Sequence, residues 1–443
     1  MSVYTRRLAE SRCRKALKDG KVLVIVGPRQ TGKSTLARHL LADLPDEERL
    51  ILNLDDPFLR DRLCTEGGLV REIEERLARP WGAVKGLHLM LDEAQKAPQL
   101  FQVVKDIHDR HPGKVRFLLT GSSAMEIHDP VAETLAGRAR ILHLHPFTLA
   151  EARAHARGED PTRDALPSLV SRLLGGQFSR GDFDELHERS RWDAPDRRLF
   201  TWDHLRHPLF PEPSNASEPE EWVRDYLATY VEKDVRSLAA VGNLELFRAC
   251  VRQVAARTGS PVRWETMAQE IGTTSITLRR YVGLMEQTQT LLRLAPFGVN
   301  PVKRVIRSPK VYLADAGLLW GLRGFEDAKL LEASGMLGAY MEQLGIVEIA
   351  KWCSLEPTAP ELRFWAKTAV SEVDLVVSNR GFHIPVEIKL GRTVDRRWLR
   401  GLDAFEEDHR SGRLEIPYRV VLHLGEPEMP DPRTFAIPLW ALS

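Results

Sequence analysis

Gly27-Pro28-Arg29-Gln30-Thr31-Gly32-Lys33-Ser34, followed by Thr35, decides how the first third of this chain folds. It has the form GxxxxGK[ST], a loop whose backbone N–H groups wrap round phosphates, with glycines where side chains would intrude. In that pattern Lys33 carries a charge to the β- and γ-phosphates, and the Ser34 hydroxyl ligates Mg²⁺. The flanks agree. Lys21-Val22-Leu23-Val24-Ile25-Val26 is an apolar, β-branched run of the kind a buried parallel strand needs. Ser34 to Leu41 continues as a helix whose N-terminal dipole points at the anion. A glycine turn with a chance lysine does not usually come framed by strand and helix. The expected ligands are ATP and Mg²⁺.

Downstream, Leu87-His88-Leu89-Met90-Leu91 reads as a second buried strand and ends in Asp92-Glu93-Ala94-Gln95. At a strand's C-terminal edge Asp92 is expected to hold Mg²⁺ through water, and Glu93 to polarise the attacking water. Arg116-Phe117-Leu118-Leu119 makes a third strand, closing on Thr120-Gly121-Ser122-Ser123. Thr120 and Ser122 are read either as sensors of the γ-phosphate or lytic water, or as an ordinary strand-end turn. Leu135-Ala136-Gly137-Arg138-Ala139-Arg140 precedes a fourth strand, Ile141-Leu142-His143-Leu144. Charge developing on a transferred phosphoryl group calls for a guanidinium, and Arg138 is the candidate finger offered to a neighbouring subunit. A surface salt bridge is the competing reading.

GPRQTGKST, LMLDEAQ, LLTGSS and LAGR, in that order, resemble a large group of prokaryotic AAA-type ATPases whose C-terminal half has no defined function. The resemblance continues through 225–235, 254–259 and 308–318 and so covers most of the chain. It implies ATP binding and no particular substrate. The region from Gly158 to Glu221 departs from the group's usual connector in being longer and more polar.

The chain has 443 residues, more than one core normally serves, so two or three domains are expected. With 63 Lys and Arg against 62 Asp and Glu, any nucleic-acid surface must be local. Cys13, Cys64, Cys250 and Cys353 lie far apart, without the paired spacing of zinc fingers or disulfide frameworks, and fit reduced thiols. No run has signal-peptide character or the length to span a bilayer, so a cytoplasmic protein is expected.

Trp264 to Val282 reads as a short helix, a turn at Gly272 and a second helix, a helix-turn-helix pattern. Ile271 and Leu278 are expected to pack the two helices together, with Arg279 and Arg280 facing outward. Strands around Leu291–Leu294 and Lys310–Leu313 would form a wing, and Lys303, Arg304 and Arg307 between them are placed to reach phosphates or the minor groove. Winged helices also serve as protein-interaction modules, so DNA is one of two readings of this region.

A last group of residues suggests a second centre. Ser371 to Val377 alternates as a strand carrying Asp374, and after a hairpin near Asn379-Arg380-Gly381 comes Phe382 to Leu390, carrying Glu387 and Lys389. Asp, then Glu-x-Lys on the next strand, is the arrangement of the restriction-endonuclease-like fold. Alternation puts Glu387 and Lys389 on one face beside Asp374. The two carboxylates are expected to hold Mg²⁺, and the lysine to act on the nucleophilic water or the developing charge. Glu342, in the helical run Gly338 to Leu344, would add a further metal ligand. Cross-strand charge pairs that catalyse nothing produce the same pattern.

The resulting expectation is an α/β multi-domain chain. It comprises a P-loop AAA-type ATPase domain over 1–155, a connector with a polar linker over 156–221, a helical and winged helix-turn-helix region over 222–325, and a restriction-endonuclease-like PD-(D/E)XK α/β domain over 326–443. Such a chain would be a Mg-dependent ATPase acting on DNA as a homo-oligomer, with or without nuclease activity. The alternative is a regulatory ATPase whose C-terminal half binds proteins through a catalytically dead scaffold.

Overall fold

The computed structural model describes residues 4–122, 131, 133–189, 204–212, 218–230, 243–298, 308–325, 327–367, 371–410 and 414–443. These fall into two compact units, one over Met1–His145 and one that begins at Pro146 and runs, with small exceptions, to Ser443.

The first unit is built on five parallel strands: β1 (Val22–Val26), β2 (Arg49–Asn53), β3 (Leu87–Asp92), β4 (Val115–Gly121) and β5 (Ala139–His143). Their spatial order is β2-β3-β4-β1-β5. Every residue of β1 is buried, as a central strand covered on both faces requires. The helix Leu100–Arg110 shows how one face is covered: Leu100, Phe101, Val103, Val104 and Ile107 recur at helical spacing and are all buried. Four of these strands are named from the sequence alone. β2 is not, because Leu50-Ile51-Leu52 is a short apolar run that follows the charged stretch Asp46-Glu47-Glu48-Arg49. The order matters for the site. β4 lies between β1 and β3, so the strand ends at Val26, Gly121 and Asp92 open side by side at the C-terminal edge, where open parallel sheets bind ligands.

The second unit has one eight-stranded sheet, in the order β12-β13-β11-β10-β9-β8-β6-β7. Its strands are β6 (Leu291–Pro296), β7 (Lys310–Leu313), β8 (Glu361–Ala366), β9 (Glu372–Asn379), β10 (Phe382–Ile388), β11 (Arg419–His423), β12 (Glu428–Asp431) and β13 (Thr434–Pro438). β9 and β10 join through Arg380 and Gly381 at φ 46° and 94°, the two positive values that a tight hairpin turn demands. β6 and β7 form the expected antiparallel hairpin. β6 also pairs in parallel with β8, through Ala295 with Arg363 and Pro296 with Phe364.

One sheet thus draws strands from both the region expected over 222–325 and the one expected over 326–443. The first compact unit ends at His145, ten residues short of the expected division at 155. The helix Leu149–Arg157, closed at its start by a capping box of Thr148 and Glu151, belongs to the second unit. Its first N–H donates to Glu348 Oε1 at 3.0 Å, and Lys351 Nζ donates to the Phe147 carbonyl at 2.7 Å. Both partners lie on the long, mostly buried helix Leu337–Leu355. Burial pushes the Glu348 carboxyl up to about 7, with Lys351 acting against the rise. Nor do residues 156–221 form a mere connector. The helices Leu166–Leu174 and Arg180–Arg189 bury apolar faces, and Phe178 and Phe183 pack on Phe435. Asn379 Nδ2 donates to Leu174 O at 3.0 Å. Charged outer faces give this stretch a polar composition while its inner faces hold core.

Candidate functional sites

At the C-terminal edge of the first sheet, Gly27 has no room for a side chain. A Cβ there would stand 2.2 Å from the Leu144 carbonyl oxygen, where the chain leaving β5 crosses the loop. The requirement is therefore the crossing backbone, an addition to the phosphate argument made from the sequence. Gly32, at φ 86°, starts the helix Lys33–Leu41 from the left-handed region. Lys33 is buried, and its ammonium donates to the carbonyls of Gly27 at 2.9 Å and Pro28 at 2.6 Å, spanning the loop that phosphates would enter. Thr31 is wholly buried and donates to Pro28 O at 3.0 Å. Arg7 braces the same loop from outside the motif, giving one N–H to Thr31 O at 2.8 Å and another to His145 O at 2.7 Å.

Beside the loop, Asp92 Oδ1 accepts from Ser34 Oγ at 2.7 Å and from the Thr120 hydroxyl. The serine and aspartate expected to share Mg²⁺ are thus already hydrogen-bonded. A hydroxyl and one carboxylate, the remaining positions left to water and phosphate, suit an ion that keeps much of its hydration. Arg38, one turn beyond Ser34, brings a guanidinium nitrogen to 3.9 Å from Asp92 Oδ2. Glu93 is held in the left-handed region at φ 59° and accepts from Gln95 Nε2 at 2.5 Å, while the same amide donates to Ser122 Oγ at 3.2 Å. Thr120 and Ser122 are therefore partners of Asp92 and Gln95 in this state. Among these residues Gln95 had a visible signal, as the fourth letter of DEAQ. Arg7 and Arg38 had none, since their roles depend on where the loop folds.

Arg138 does not reach this site. Its carbonyl accepts from Val22 N at 3.0 Å, which places it at the opposite, N-terminal edge of the sheet, about 16 Å away along a five-residue strand. Its exposed guanidinium donates to Asp109 at 2.6 Å.

The second cluster lies in the second unit. Val386 pairs with Leu375, so Glu387 stands opposite Asp374. There the ladder is interrupted: Ile388 N donates to Asp374 Oδ2 at 2.8 Å instead of to a backbone carbonyl. Lys389 Nζ lies 2.5 Å from Glu387 Oε1 and 3.5 Å from Asp374 Oδ2, so the three expected residues do share one face. Burial, and then the charge of Asp374, push Glu387 up to about 8 and Glu342 up to about 7. Glu342, however, is drawn aside. Its Oε1 accepts from Lys310 Nζ at 3.1 Å and from Tyr312 Oη at 2.6 Å. Among the described residues no three carboxylate, imidazole or thiol groups close round a single metal position. Asp374 and Glu387 fit a cation that takes one or two carboxylates and fills its shell with water and substrate oxygens. Lys310 and Tyr312 went unrecognised from the sequence, although strand alternation in Lys310-Val311-Tyr312 puts both on one face.

In the helix-turn-helix region, Trp264–Glu270 and Ser275–Gln287 are helices and Gly272 turns between them at φ 68°. Leu278 is buried, and Arg279 and Arg280 are exposed. Arg279 lies over the Trp264 ring at 4.5 Å. Lys303, Arg304 and Arg307 lie outside the described residues, as does Ser123. No described helix is long and apolar enough to cross a membrane.

Residues 19–153 match the family described as an AAA domain, while 202–329 and 337–442 match two domains of unknown function, DUF8612 and DUF4143. The chain thus carries an N-terminal AAA-type P-loop domain followed by two domains of undefined role. An uncharacterized protein of Mycobacterium tuberculosis is 28% identical over 415 residues, covering 93% of this chain and 80% of the relative. One of Mycobacterium bovis is equally similar. Among solved structures, the RuvB Holliday junction branch migration motor of Thermotoga maritima is 15% identical, covering 74% of this chain and 92% of its own, at a TM-score of 0.30. AMPPCP-bound DnaA from Aquifex aeolicus is 14% identical over 65% of this chain and 89% of its own, at 0.25. Likenesses that loose carry no argument about function.

Proposed function

We propose that this chain is a Mg-dependent ATPase that acts on DNA, in repair, recombination or defence, and that its second unit carries a nuclease-like centre. The observation that carries the ATPase reading is the joined set at the sheet edge: Lys33 across the loop, Ser34 on Asp92, and Glu93 held by Gln95. Mg²⁺ bound with ATP would neutralise phosphate charge. Lys33 leaves the loop carbonyls for the phosphates, Ser34 and Asp92 orient the ion, and Glu93 takes the proton of the attacking water. Arg138, far from its own site, would reach a neighbour's in a homo-oligomer only by leaving Asp109, and that salt bridge is the competing reading of this residue.

For DNA, the support is the helix Ser275–Gln287, with Arg279 and Arg280 exposed, followed by the β6–β7 hairpin as in a winged helix. Exposed Ile276 on the same helix, at 79%, favours the second reading, a protein partner in place of DNA. Duplex binding followed by fluorescence anisotropy across a salt series separates the two. Replacing Lys303, Arg304 and Arg307 together by Ala is expected to weaken binding alike on unrelated sequences. It is also expected to flatten the plot of log K against log salt by about 3. Unchanged affinity and slope would move the DNA surface elsewhere, and no binding at any salt would favour the protein partner.

A further inference from the structure

We infer that Lys310 is a built-in cation of the nuclease-like centre, standing where a second metal ion would otherwise lie, so that Asp374 and Glu387 take one divalent cation and not two. The inference rests on reading that centre as a metal site, and it assigns a role to a residue from outside the Asp/Glu-x-Lys pattern.

Lys310 comes from β7, in the region matching the second domain, while the carboxylates come from the region matching the third. Its backbone is fixed on both sides: it pairs with Leu294 of β6 on one and bridges to Pro261 on the other, where Val262 N donates to Pro309 O at 2.8 Å. The side chain is 3% exposed, lies 5.4 Å over the Phe364 ring, and forms ion pairs with Glu342 and Glu372. A cation so enclosed cannot swing out to solvent.

The neighbouring carboxylates divide accordingly. Glu342 is committed, with Oε1 shared by Lys310 and Tyr312, and its carboxylate lies against Gly259, where even a methyl carbon would come within 3.3 Å of Oε2. Glu387 is not committed. One oxygen meets Lys389, while Oε2 is buried and has no hydrogen-bond partner among the described residues. A buried carboxylate oxygen left bare is costly unless a ligand uses it. Charge agrees. Fully ionised, as a bound cation would hold them, Glu342, Glu372, Asp374 and Glu387 carry two more charges than Lys310 and Lys389 offset, which one divalent ion balances. Paired metal ions sit about 3.5–4 Å apart and need carboxylates for both. Here the carboxylates beyond Asp374 and Glu387 already hold an ammonium.

The test is a Mn²⁺ titration of the full, nucleotide-free chain, following loss of the free-ion electron paramagnetic resonance signal. Asp374→Asn serves as the blank for ions bound elsewhere. The unaltered chain and Lys310→Arg are expected to take one Asp374-dependent Mn²⁺, and Lys310→Met two. Thermal melts give a second readout: Mn²⁺ should raise the Tm of Lys310→Met more than that of the unaltered chain, because the ion replaces the missing charge. One Mn²⁺ in both proteins, with equal Tm shifts, overturns the role of Lys310 and leaves the metal site standing. A Lys310→Met chain that stays unfolded at every Mn²⁺ concentration also overturns it. No Asp374-dependent Mn²⁺ in any of the proteins overturns the metal reading itself.

Discussion

Lys33→Ala is expected to weaken ATP binding about a hundredfold, whereas Glu93→Gln should bind ATP normally and hydrolyse it roughly 10²–10⁴ times more slowly. The two changes remove different things. Lys33 is the buried ammonium at the loop, and losing a hydrogen bond to a charged group costs up to about 3 kcal/mol, which is about a hundredfold in Kd. Glu93 contacts neither Ser34 nor the loop in this structure; it is aimed by Gln95 at the end of β3. A glutamine there keeps the shape and removes the base. Equilibrium binding of a fluorescent ATP analogue and single-turnover hydrolysis measure the two effects separately. Wild-type turnover by Glu93→Gln would show that the base has been misassigned.

The second large effect concerns Asp374 and Lys389. Asp374→Asn is expected to lose both Mn²⁺ binding and any Mg²⁺- or Mn²⁺-supported phosphodiester cleavage. Lys389→Met should bind the ion but lose the rate. Asparagine is the better probe than alanine, because it can still accept the bond from Ile388 N, whose loss would itself cost about 1–3 kcal/mol. Ca²⁺ should bind without supporting cleavage. Gel assays on linear, branched and single-stranded DNA, run beside the metal titration, read both properties. A chain that binds Mn²⁺ through Asp374 yet cuts nothing is a scaffold with a retained metal site. Cleavage that survives Asp374→Asn lies elsewhere or comes from a contaminant.

Much of this is legible in the amino-acid sequence, and the reason is locality. The phosphate loop, the strand before it and the carboxylates after β3 are each set by a few adjacent residues, and strand alternation was enough to place Asp374, Glu387 and Lys389 on one face. What was hidden depends on residues far apart in the chain. Arg7 reaches Thr31 and His145 only once the sheet has formed, and Lys310 reaches Glu342 only because β6 joins β8. That join is hidden because nothing in Leu291–Pro296 announces a partner some seventy residues on. The start of the second compact unit at Pro146 is hidden for another reason. Composition there records what the helices show to solvent, while Leu149, Phe178 and Phe183 record what they bury.

In the proposed function, ATP turnover in the first unit answers to DNA held by the second. The most direct measurement is the steady-state ATPase rate of the full chain at low salt, alone and with saturating duplex, branched or single-stranded DNA. Glu93→Gln and the Lys303, Arg304 and Arg307 triple variant are run alongside. The expected rate rises severalfold with at least one DNA structure, falls back as salt is added, loses its rise in the triple variant and vanishes in Glu93→Gln. A rate abolished by Glu93→Gln but the same with every nucleic acid and without any would contradict it.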